Sequence, residues 1–165
     1  MELKPKTIKR AIFDYAHRVY LLAEYEKQDI DSYMEKHRLD PDSETYKEYY
    51  SRSRLLQAII KALDEYQTKL GLVDGRGAIL ISDRKEITLE QIREAQKYYD
   101  AIQADLSATE TELTILLDRP VYAGSSGQLE KDCYNKKLRQ YERLIDIYRE
   151  ILTAIDKYNL RLFDD

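Results

Sequence analysis

Glycine and proline are confined to a few places in this chain, and that confinement limits its possible folds more than any other feature. Pro5 stands near the beginning and Pro41 stands alone; Gly71, Gly75 and Gly77 cluster, as do Pro120, Gly124 and Gly127. The long stretches between them contain neither breaker, so each can run as an uninterrupted helix. Within these stretches the apolar residues step by three and four, the repeat of one helical face.

The first stretch, from about Lys6 to His37, carries Ile8, Ile12, Tyr15, Val19 and Leu22 on that repeat, with a kink expected near Asp29, Asp31 and Ser32. Asp40-Pro41 reads as an N-cap followed by proline at the first helical position. The second stretch places Tyr46, Tyr49, Ser53, Leu56, Ile60, Leu63, Gln67 and Leu70 on one face, and Gly71 ends it as a C′ glycine would. Thr88-Leu89-Glu90-Gln91 is a capping box that opens a third helix. That helix has a stripe of Ile92, Tyr99, Ile102, Leu106, Leu113 and Leu116, and Pro120 closes it. The fourth is the most regular, from Tyr134 through Leu138, Tyr141, Ile145, Tyr148, Leu152, Ile155 and Asn159 to Leu162. Leu144, Ile147 and Ile151 widen its face beyond a coiled-coil seam, as in a helix packed inside a bundle.

The fold expected is therefore all-α: an antiparallel bundle of four helices, three or all of them long, with a long middle connector, in one domain over residues 1–165. The connector, Gly71 to Ile87, holds a short apolar run, Ala78-Ile79-Leu80-Ile81. That run could be a lone strand, which would lack a partner unless a second chain supplied one, or a helical turn, or a loop tucked onto the bundle.

Composition narrows the function classes. The formal net charge is −4, too small to mark a nucleic-acid-coating protein. Cys133 is the one cysteine, so no intrachain disulfide can form and a reducing, cytoplasmic setting is expected. No apolar run approaches the ~20 residues of a membrane span, and the first residues do not read as a signal peptide. A di-iron bundle needs two Glu-x-x-His pairs and two further glutamates; His17 and His37 are the only histidines, so no metal or other cofactor is expected. Glu86, Glu90 and Glu94 suit a solvated face better than the paired carboxylates of the all-α pyrophosphatases. Cys133, beside Tyr134, reads as a semi-buried packing residue, and Asp74-Gly75-Arg76-Gly77 lacks the Lys-Ser/Thr of a phosphate-binding loop.

Arg10 and His17, with six residues between them, resemble the Arg-x(4–6)-His motif of the HEPN ribonuclease family. The resemblance implies a helical bundle in which the two side chains act on an RNA phosphate, usually across a dimer interface. It covers these two residues only. Ala11 follows the arginine where that family favours a polar residue, and the motif lies in the first helix rather than late in the domain.

Two surface features remain. Residues 83–119 hold nine acidic and five basic side chains, whereas residues 1–40, 41–70 and 127–165 are each balanced. Between Lys97 and Arg119 there is no cation, while Asp100, Asp105, Glu110, Glu112 and Asp118 are all acidic. The chain also has 15 tyrosines and no tryptophan. Adjacent helical residues point about 100° apart, so of the pairs Tyr49-Tyr50 and Tyr98-Tyr99 one member must leave the seam. Tyr50 and Tyr98 are the candidates, with Tyr20, Tyr25 and Tyr158 also off the seams. Tyrosine, apolar in body and wet at the tip, suits such half-buried contacts. The function expected is a non-catalytic adaptor, scaffold or stoichiometric inhibitor with no catalytic or metal site. Its partner-binding candidates are Tyr50, Tyr98, Asp100, Asp105, Glu110 and Glu112, facing a protein with a basic surface or a second copy of the chain. The alternative is a nucleic-acid-binding or RNA-processing bundle, HEPN-like at best.

Overall fold

The Gly71 turn shows how the sequence sets an element's end. Helix α2 (Glu44–Lys69) stops where the Gly71 and Leu72 amides donate back to the carbonyls of Thr68 and Gln67, each at 3.0 Å. This Schellman closure needs a residue with positive φ, and Gly71 supplies it at +77°. The computed structural model describes residues 4–119 and 127–164. In chain order it contains β1 (Lys6–Lys9), α1 (Arg10–His37), α2, β2 (Arg84–Ile87), α3 (Leu89–Asp118) and α4 (Gln128–Phe163). The helices hold 78% of the described residues, so the chain is mostly helical, with one small two-stranded sheet.

That sheet corrects the expected helix start at Lys6. Residues 6–9 are extended and pair antiparallel with β2, Lys6 opposite Ile87 and Lys9 opposite Arg84. Ile8 and Ile87, alternating inward, are both buried. The connector's strand is therefore Arg84–Ile87, not Ala78–Ile81, and its partner comes from the same chain. Ile79 makes a single bridge to Val73, and Ile79 and Leu80 stay exposed.

Helix α1 is continuous through the expected kink, because Asp31 is held by Lys27 (2.6 Å) and by the Ser53 hydroxyl of α2 (2.6 Å). Its buried face overlaps the predicted one only in part: Val19 packs against the core, and Ile8 is buried from the strand before the helix. Phe13, Ala16 and Ala23 enter the core, while Ile12, Tyr15 and Leu22 remain 39%, 48% and 57% exposed. The apolar arc of this helix is broad, and packing selects the half whose alanines let neighbouring backbones approach closely. The N-cap of α2 is Ser43, whose hydroxyl accepts from Tyr46 N–H, and Asp40-Pro41 belongs to the preceding turn, with the Asp40 carboxylate accepting from Asp42 N–H. The capping box at Thr88 and Gln91 forms as read.

The stripes of α2, α3 and α4 are buried at Ser53, Leu56, Leu63, Gln67, Ile102, Leu116, Ile145, Leu152, Ile155 and Leu162. Tyr158, expected at an edge, is fully buried edge-on to Tyr66. Gln67 of α2 meets His17 of α1, and Ser53 meets Asp31; Glu110 of α3 meets Arg149 of α4, and Tyr99 meets Asp156. Tyr66 of α2 donates to Asn159 of α4 (2.7 Å). Among the described residues no helix is long and apolar enough to cross a membrane.

Candidate docking cleft

Helices α2 and α4 meet near Tyr66 and Asn159, and the continuous core uses α4 only from Ile147 onward. The first half of α4 therefore stands outside that core. Between it and the first half of α2 lies a cleft of about 1200 Å³.

Each wall follows from helical spacing. On α2, Tyr46, Tyr50 and Arg54 recur every fourth residue and so lie along one line. The Tyr46 and Tyr50 rings stack at 5.8 Å with 10° between their planes. Arg54 lies over the Tyr50 ring (5.6 Å) and donates to its hydroxyl (3.1 Å). The ladder holds Tyr50 in place while 43% of it stays exposed. On α4, Lys136, Arg139 and Arg143 step by three and four, placing three cations on one side. All three are exposed, and among the described residues no carboxylate lies within ion-pair distance of them. Leu55, Leu144 and Ile147 supply apolar surface between the walls.

The lining's charge is one-sided: six cations (Lys47, Arg52, Arg54, Lys136, Arg139 and Arg143) against two acids, Asp132 and Asp146. Arg52 is spoken for, its guanidinium donating twice to Glu26 at 3.1 and 3.0 Å. The lining includes no histidine and no cysteine. Its chemistry is attraction of negative charge, ring contact and burial of apolar surface.

Tyr50 is the one predicted site residue in this cleft. Tyr98 is half-buried against the core, and burial, with Glu65 nearby, pushes its phenol up from the ordinary tyrosine value. It lies outside the cleft lining. Asp100, Asp105 and Glu112 are exposed on α3, and Asp100 accepts from Gln96 (2.9 Å). Glu110 is paired to Arg149 across the α3–α4 contact (3.0 Å), so part of its charge is already answered. The cations of the cleft escaped the sequence reading because residues 127–165 are balanced in total. A wheel of α4 showing charge by face would have found them.

The Arg10–His17 pair has a structural setting. Arg10 is bound to Asp14 (2.8 Å) and to the Ile81 carbonyl (2.7 Å), pinning the connector to α1. His17 stacks between Phe13 and Tyr20, 5.0 Å from each, and its Nδ1–H donates to Gln67 (2.7 Å). Cys133, expected to be semi-buried, is exposed, since the start of α4 lies outside the core. No group of three metal-ligating side chains comes together among the described residues.

No protein-family model matches this chain, and neither does any curated protein or solved structure.

Proposed function

We propose that this chain is a non-catalytic protein-interaction module, an adaptor, scaffold or stoichiometric inhibitor, that docks its partner in the cleft between α2 and α4. The single observation that carries the reading is the cleft's lining, a stacked Tyr46–Tyr50–Arg54 ladder facing the cations Lys136, Arg139 and Arg143 over an apolar floor. Bundle architecture serves such a role because helices anchored at one end hold the opposite ends apart at a fixed spacing. An antiparallel arrangement of α1 with α2 and of α3 with α4 is supported by the order of their contacts, Gln67 with His17 but Ser53 with Asp31, and Glu110 with Arg149 but Tyr99 with Asp156. Exposed Cys133 suits a reducing, cytoplasmic setting.

Burying the exposed part of Tyr50 would contribute roughly 1 kcal/mol, and the cations would add steering and register more than affinity. The sign of the cleft changes the partner expected from the sequence, because a basic cleft fits an acidic surface. Nucleic acid shares that sign. The apolar floor, the net charge of −4 and the acidic outer side of α3 favour a protein.

The test is a photo-crosslinking residue placed at Tyr50, with a second at the exposed Tyr25 of α1, outside the cleft lining, as control. Protein adducts specific to position 50 and insensitive to nuclease are expected. Adducts that nuclease removes, or equal yields from both positions, would overturn the reading. In parallel, RNA incubated with the protein should stay intact, and cleavage that disappears in His17→Ala would restore the enzymatic alternative.

A further inference from the structure

The cleft asks for a helix of a particular kind. A groove walled by two helices accepts a third helix that lays an apolar stripe on the floor. Cations on both rims then require acidic side chains on both flanks of that stripe. The ladder side contributes Arg54, with Lys47 at the outer limit of an ion pair to Glu44 (4.0 Å), and the α4 side contributes Lys136, Arg139 and Arg143.

This chain carries such a helix face itself. On α3, Ala101, Ala104, Ala108 and Ile115 are exposed. At 100° per residue they fall in one stripe on the side of α3 away from its buried Ala95 and Ile102. Asp105 and Glu112 flank the stripe on one side, and Asp100 and Asp118 flank it on the other; all four are exposed. Three of the stripe's four residues are alanines, which let a helix sink deep into a groove. The dimensions agree as well. From Ala101 to Ile115 the stripe runs about 21 Å, and from Asp132 to Ile147 the α4 wall runs about 22 Å. Glu110 is excluded from this face by its pairing with Arg149 inside the molecule.

From this match of charge, stripe and length we infer that the occupant of the cleft is α3 of a second copy of the chain. The inference rests on the proposed docking role of the cleft and names its partner. The cleft and the α3 face are different surfaces, so the contact is head-to-tail, and each added copy leaves one cleft and one α3 face free. Growth then continues beyond two copies unless a ring closes. Because opposite charges lie on the rims, assembly strengthens at low salt.

Sedimentation velocity on the full chain tests this, from about 1 to about 200 μM and at about 50 and about 500 mM salt. The wild type should show a mass that rises with concentration at low salt, with association weakened roughly tenfold or more at high salt. Arg139→Glu with Arg143→Glu reverses the cleft, and Asp105→Arg with Glu112→Arg reverses the α3 face. Each double variant alone should remain monomeric, and an equimolar mixture should associate again, because each then offers the other an opposite surface. Restoration on mixing separates a lost contact from a lost fold. A wild type that stays monomeric at low salt, or association indifferent to both reversals, overturns the inference. If the wild type is monomeric while a nuclease-resistant Tyr50 crosslink to another protein is lost on reversing Arg139 and Arg143, the cleft reading stands and only the second copy is wrong.

Discussion

The tyrosines divide by what their hydroxyls reach. Tyr158 is fully buried, and among the described residues its hydroxyl has no hydrogen-bond partner. Tyr66, also buried, donates to Asn159 (2.7 Å). A net hydrogen bond is worth about 1 kcal/mol, whereas an unsatisfied buried hydroxyl costs stability. Tyr158→Phe is therefore expected to leave the stability measured by urea unfolding unchanged or raise it by up to about 1 kcal/mol, and Tyr66→Phe to lower it by about 1 kcal/mol. A clear loss from Tyr158→Phe would mean that its hydroxyl is bonded. Burial pushes the Tyr66 phenol up to about 12 despite the Asn159 bond. Tyr99 also rises to about 12, from burial and then from its hydrogen bond to Asp156. Unfolded tyrosines ionise near pH 10, so the stability these two groups contribute is complete below about pH 10. It drains away as pH rises toward 12, because the unfolded chain ionises first. Absorbance of tyrosinate during an alkaline titration should show these two rings ionising late or together with unfolding. Early ionisation of all 15 tyrosines in a folded protein would contradict this.

Local capping made two element ends legible and the repeat made the faces of α2, α3 and α4 legible, whereas the starts of α1 and α2 and the face of α1 were not. Thr88 and Gln91 form the capping box, and Gly71 closes α2, because capping is local chemistry written within a few residues. The face of α1 was misjudged because its apolar residues cover about half the helix, and only the neighbours decide which part turns inward. Residues 6–9 and 84–87 could not be paired from sequence. Each strand has four residues, and its partner lies far away along the chain. The Gly71 closure offers a direct test. A Cβ there would strain a positive φ and run into the Gln91 side chain, which also holds the capping box of α3. Gly71→Ala should cost roughly 1–2 kcal/mol through both elements. Thr88→Ala should cost about 1 kcal/mol, through α3 alone. Equal thermal midpoints for Gly71→Ala and the wild type would show that neither coupling exists.

At the scale of the whole molecule, charge counted along the sequence and charge arranged in space carry different information. The acidic excess of residues 83–119 was visible in the sequence, and the exposure of Asp100, Asp105 and Glu112 agrees with it. The cleft was not visible, because it joins halves of two helices separated by more than 70 residues and the cations of α4 are matched in number by acids of the same segment. Tyr50 was found from its position beside Tyr49, but its neighbours Tyr46 and Arg54 acquire meaning only once α4 stands opposite. Because Arg139 and Arg143 are exposed and unpaired among the described residues, reversing them should change stability by no more than about 0.5 kcal/mol. The most direct measurement compares the Tyr50 crosslink yield in the parent and in the Arg139→Glu, Arg143→Glu variant, with helix content and unfolding midpoint recorded for both. A cleft that docks an acidic partner predicts a yield lowered at least about tenfold in a protein of unchanged fold and midpoint, and an unchanged yield would contradict it.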